Sequence, residues 1–94
     1  MIEKKVKIIS KNGLHLRPCG LITDMAQSFN SDILIIKENG QKADAKNIME
    51  MAMMAISNNE EVTINVNGSD ENEALNSMAS LVIIDFSEFF EKRT

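Results

Sequence analysis

The chain has 94 residues, a formal net charge of −4 and a composition that is 44% hydrophobic and 26% charged. That size fits one domain with a modest core, in which about two-thirds of the unfolded chain's surface becomes buried. One cysteine excludes an internal disulfide, one histidine without a cysteine pair makes a zinc site unexpected, and the acidic balance without Trp or Tyr argues against nucleic-acid binding.

Residues 2–10 read as a strand, with Ile2, Val6 and Ile8 on one face and Lys5 and Lys7 on the other. Lys11-Asn12-Gly13 breaks it. From Leu16 to about Phe29, the residues Cys19, Ile22, Ala26 and Phe29 recur every three or four positions, which predicts an amphipathic helix that Asn30-Ser31 ends. Residues 32–37 form a β-branched strand, and Asn39-Gly40 predicts a two-residue hairpin that returns along residues 41–45. Asn47 is placed to cap a second helix reaching about Ser57. Its Met-rich segment is apolar almost all the way round, so Met51, Met54 and Ala55 are expected in the core and the others partly outside.

Residues 61–67 alternate, with Val62, Ile64 and Val66 inward and Thr63, Asn65 and Asn67 outward. After the turn at Gly68, Asp70 and Glu73 have capping-box spacing, and Ala74, Leu75, Met78, Leu81 and Val82 predict a third helix. The order βαββαβα predicts an α+β open-faced β-sandwich, a four-stranded, mainly antiparallel sheet with three helices on one face. A single domain is expected over residues 1–94, with about 82–94 as an extended C-terminal helix or tail. There Phe86, Phe89 and Phe90 stand at helical spacing, and folding back onto the domain is favoured over a partner or self-association surface. The apolar runs at residues 33–36 and 81–84 are too short to span a bilayer, and residues 1–8 lack the apolar core of a signal peptide, so a cytoplasmic protein without membrane insertion is expected.

The chemistry concentrates in Gly13-Leu14-His15-Leu16-Arg17-Pro18, between the first strand and the first helix. The free amides of a first helical turn and the helix dipole attract phosphate oxygens, a neutral imidazole nitrogen can take phosphate as a nucleophile, and Arg17 offsets the added charge. The helix N-terminus also favours neutral imidazole over imidazolium by about 0.3–1 kcal/mol. Pro18 suits a first turn, where its missing NH costs little. Cys19 sits where a helix N-terminus can activate a thiol, but it lies on the inward stripe with Ile22, so a buried, inert thiol is expected.

Asn12-Gly13-Leu14-His15-Leu16-Arg17-Pro18 resembles the active-site segment of HPr, the phosphocarrier family of the phosphoenolpyruvate-dependent sugar phosphotransferase system. Chain length, element order, Ala45-Lys46-Asn47-Ile48-Met49 and Gly68-Ser69-Asp70-Glu71 carry the resemblance from residue 1 to about 81. It implies the same fold and a stoichiometric relay, not a turnover enzyme: His15 accepts phosphate on Nδ1 from phosphorylated enzyme I and passes it to the A domain of an enzyme II. Arg17 then balances charge in the transfer complex. Asn12 and the backbone amides of Leu16 and Arg17 hold phosphate, while Leu16, Gly20, Ile48, Met49 and Ala52 form the apolar docking patch. No cofactor or metal of its own is implied, and a monomer is expected.

Three departures from the family stand out, one of them the sequence after Leu81, which extends past the usual family terminus. The 32–45 hairpin is one residue longer, and Asn47 occupies the position of a serine that a dedicated kinase phosphorylates in many Gram-positive HPr proteins. Asn has no hydroxyl, so that regulation is expected to be absent. Three alternatives stay open: a carrier of the regulatory nitrogen branch, a contact-only regulatory module of the kind that tends to lack the histidine, and a generic ligand-binding α+β domain, which explains the fold but not the motif.

Overall fold

Val62, Ile64 and Val66 alternate with polar residues, and this period of two makes residues 61–67 the strand on which the sheet is built. The structure, a computed structural model, describes residues 1–8 and 16–82. Its elements are β1 (Ile2–Lys7), α1 (Leu16–Gln27), β2 (Asp32–Lys37), β3 (Lys42–Asp44), α2 (Ile48–Met53), β4 (Glu61–Asn67) and α3 (Glu71–Val82). The sheet order is β1-β4-β2-β3, with each neighbouring pair antiparallel. This is the α+β architecture expected from the element order.

The register stacks apolar rows across the sheet: Ile2 and Ile33 flank Val66, while Ile35 lies opposite both Ile64 and Ala43. Helix residues Ile22, Ala26, Met51, Ala74, Met78 and Val82 join Ile33, Ile35, Val62, Ile64 and Val66 in one buried cluster. Because β1 and β2 both run opposite to β4, they point the same way. The chain therefore leaves β1 and starts α1 at one end of the sheet, and α3, which packs on β1 and β4, finishes at that same end.

Lys37 falls on the inward side of β2, across from Val62. Its Nζ donates to the Met54 carbonyl at 2.9 Å and pairs with Glu60 at 3.2 Å, so the charge is placed at the C-terminal end of α2, where cations are favoured. At the opposite end, the Asp70 carboxylate accepts from the Asn30 and Ser31 backbone amides, both at 2.9 Å, and from the Ser31 hydroxyl. These bonds, the Ser31 hydroxyl foremost, hold the Asp70 carboxyl below the usual carboxylate range.

Four expectations need correction. The hairpin has three loop residues, Glu38, Asn39 and Gly40, because Lys37 bonds Gln41 through its NH and Gly40 through its carbonyl. A two-residue type I′ turn requires positive φ at both central positions, whereas here Gly40 (φ 91) has it and Asn39 does not. The second helix ends at Met53, not near Ser57: Ala55 takes φ 50, the helix stops, and Ile56 is buried in place of the exposed Ala55. Asp70 precedes α3 and accepts the Ala74 amide on its backbone carbonyl, but its carboxylate turns to Asn30 and Ser31 instead of closing a box with Glu73. The first helix stops at Gln27, two residues short, with Ser28 and Phe29 bonded back to Met25 and Ala26. Residues 9–10 of the first predicted strand and the tail bearing Phe86, Phe89 and Phe90 lie outside the described residues.

Gly68 marks the tightest approach between the two turns at this end. A Cβ there would lie 2.6 Å from Ser31 Cα and 2.5 Å from its hydroxyl oxygen. Backbone cannot yield as a flexible side chain does, so Gly68→Ala is expected to cost about 1–3 kcal/mol of stability. Urea unfolding would read this as a lower midpoint, and an unchanged midpoint would contradict the packing described.

Candidate functional site

Among the candidate residues, Asn12 and His15 lie outside the described residues, as do the side chains of Leu16 and Arg17. What the structure defines is the platform. Leu16 and Arg17 open α1, Pro18 is in its first turn, and no acidic residue stands there. The first NH groups of a helix have no partner within it, so the positive dipole end of α1 directly follows position 15 in the chain. A phosphoryl group presented there finds donors and favourable potential together.

Cys19 lies one turn into α1 and is fully buried in the core. Burial pushes its thiol up to about 11, the opposite of the activation seen at reactive helix N-termini. The inward stripe with Ile22 thus decides its role.

The four described residues of the expected docking patch come from two helices. At Gly20 a Cβ would lie 3.5 Å from Ile48 Cδ1, so α1 and α2 meet closely there without a side chain between them. Ile48 and Ala52 are half-buried one turn apart, and Met49 beside Ile48 is 61% exposed. Asn47 holds this short helix in place: its Oδ1 accepts from the Met49 and Glu50 amides, both at 3.1 Å. The expected cap is present. Met51 and Met54 are buried beneath, so the Met-rich segment divides into a core side and an exposed side.

Two further apolar residues belong with this surface and were not read from the sequence as part of it. Leu21, next to Gly20, is 37% exposed, and Met53, one turn from Met49, is 74% exposed. Their signal was that each falls off the inward stripe of its helix. Among the described residues no group of three His, Cys, Asp or Glu is arranged to hold a metal, and no described helix is long and apolar enough to cross a membrane.

Comparison with known proteins bears on the same segment. The family model described as "PTS HPr component phosphorylation site" matches residues 2–83. The HPr-like protein Crh of Bacillus subtilis is 40% identical over 82 residues, covering 87% of this chain and 95% of that one. The structure of the phosphocarrier protein HPr from Bacillus anthracis superposes with a TM-score of 0.81 at 40% identity, covering 86% of this chain and 95% of that one. The structure of Bacillus subtilis Crh, described as a domain-swapped dimer, gives a TM-score of 0.70 at 40% identity, covering 87% and 93%.

The burial of Cys19 yields a direct test. At pH 8 the native protein is expected to be nearly inert to a disulfide reagent such as Ellman's, with one thiol reacting promptly after unfolding in urea. Equal rates in the folded and unfolded states would contradict the buried assignment.

Proposed function

The chain belongs to the HPr family, and on that basis we propose that it is a phosphocarrier that accepts a phosphoryl group on His15 from phosphorylated enzyme I and delivers it to an enzyme II A domain. The observation that carries this reading is the position of His15, immediately before Leu16, the first residue of an α1 whose first turn bears no acidic group. The step needs a neutral imidazole. Its Nδ1 lone pair forms the bond to phosphorus as the donor's bond breaks, the NH stays on Nε2, and the reverse exchange on the acceptor returns the ring to its starting state.

The helix N-terminus acts twice, by disfavouring imidazolium before transfer and by stabilising the phosphoryl oxygens after it. Leu16 and Arg17 amides, with Asn12, are the proposed phosphate donors. Arg17 is a cation set against an unfavourable dipole end, and its proposed use is to balance the charge that accumulates when two proteins share one phosphoryl group. Gly20, Ile48, Met49 and Ala52, with Leu16, form the proposed docking face, extended by Leu21 and Met53. Methionine side chains adapt to differently shaped surfaces, which suits a carrier that meets a donor and an acceptor with one face.

Asn47 reproduces the capping function of a serine without its hydroxyl, so phosphorylation at this position is chemically excluded. The similarity to Crh supports a second reading, regulation by contact alone. His15 discriminates the two, since a contact-only protein has no need of a phosphorylatable residue there.

Intact mass and phosphorus NMR after incubation with magnesium, phosphoenolpyruvate and enzyme I of the sugar or the nitrogen branch test this reading. The expected result is a single acid-labile, alkali-stable phosphate on the wild type and none on His15→Ala, with the more effective enzyme I naming the branch. A further arm with ATP and the family's serine kinase is expected to add nothing. No phosphate from either enzyme I would remove the carrier reading in favour of contact-only regulation.

A further inference from the structure

Phe86, Phe89 and Phe90 have no part in the phosphocarrier reading and lie beyond residue 83, where the family match ends. We propose that residues 83–94 dock back onto the domain, in the groove between α1 and α3, with these phenylalanines as the contact residues. The groove encloses about 440 Å³ and is lined, among the described residues, by Met25, Asn76, Ser77, Ser80 and Leu81. Met25 and Leu81 form its apolar walls, each packed on the core on one side and still partly exposed on the other.

The position at which the tail begins identifies the occupant. The described part of α3 reaches Val82, one residue after the groove wall Leu81, so the following twelve residues start beside the groove. The distance from Val82 back to the level of Asn76 is about 9 Å along the helix axis, and twelve residues span about 18 Å even if fully helical, enough for a turn and a return. A straight continuation of α3 serves the phenylalanines less well. The buried positions Ala74, Met78 and Val82 extend to Phe86 and Phe89 at i+4 and i+7, but α3 at Val82 has reached the end of the sheet where β4 begins. Among the described residues, no strand continues past that level for further rings to cover.

A second groove, between β1 and α3, encloses about 380 Å³ and includes Lys4, Val6, Lys7, Asn76, Ala79 and Ser80. Its apolar floor, Val6 and Ala79, is already 8% and 7% exposed, so aromatic rings would remove little further surface from water there. The α1/α3 groove keeps unburied apolar surface, and that difference selects it.

The test uses the full chain labelled with ¹³C at its methionine methyl groups, with the Met25 signal assigned by Met25→Leu. Docked rings are expected to shift the Met25 methyl and give cross-relaxation between that methyl and Phe ring protons. In the triple variant Phe86→Ser, Phe89→Ser, Phe90→Ser, the Met25 signal should move to its unshielded position and those cross-peaks should vanish. Met51, Met54 and Met78, buried in the core, should stay in place and so report that the fold is intact. Ser77→Arg, which fills the groove from α3, should release Met25 in the same way with the tail unaltered. An unmoved Met25 methyl in both variants would overturn the proposal. In a second sample labelled at its valine methyl groups, a Val6 methyl moving in place of Met25 would do so in favour of the β1 groove, and a shift that disappears on dilution would do so in favour of a second copy of the chain.

Discussion

β4 holds β1 and β2 to one sheet, and its inward set of Val62, Ile64 and Val66 is the constraint on which the remaining structure depends. A slip of one residue against either neighbour would turn all three to solvent and bring Thr63, Asn65 and Asn67 inward. Among the described strands β1 pairs with no other, so the strand that precedes the histidine in sequence is held by one some 55 residues later in the chain. Through that pairing, Ile8 also exchanges backbone hydrogen bonds with Asn59 and Glu60, at 2.7 and 2.9 Å, which carries the ladder beyond the strand itself.

The two ends of the sheet are secured differently, and the difference serves the site. At the far end Gly68 and Ser31 are in close contact while Asp70 collects three hydrogen bonds across the turns. Those bonds tie the exit of α1 to the start of α3, leaving the N-terminus of α1 and the short α2 at the end proposed as the docking face. Lys37 secures α2 from its C-terminal side and Asn47 from its N-terminal side. A two-turn helix is too short to be stable by propensity. Held at both ends and anchored by buried Met51, it keeps Ile48, which packs at Gly20 of α1, together with Met49 and Ala52 on a short helix that needs little further ordering for the proposed docking.

Much of this was legible in the sequence because its signals are local. Residues 32–37 and 61–67 announce themselves by β-branching and alternation, and Asn47 by its capping chemistry. What escaped detection depended on partners distant in the chain or on absent contrast. The Asp70 carboxylate spends its hydrogen bonds on residues some forty positions away, which no capping-box spacing can reveal. The end of α2 carries no Gly at its left-handed position, and its methionines are apolar on every side, so periodicity could not mark where Ala55 turns the chain. In the candidate site the motif around His15 and the docking residues Gly20, Ile48, Met49 and Ala52 could be named from resemblance. Leu21 and Met53 needed the burial pattern.

The central claim is that one apolar face, made by the start of α1 and by α2, brings the partner to His15. Amide NMR during titration of unlabelled enzyme I into the ¹⁵N-labelled protein tests it most directly. The account predicts perturbations confined to the first turns of α1 and to Gly20, Leu21, Ile48, Met49, Ala52 and Met53, with Asp70 and the outward residues Lys5, Thr63 and Asn65 unaffected. Perturbations centred on α3 or on the outer face of the sheet would contradict it.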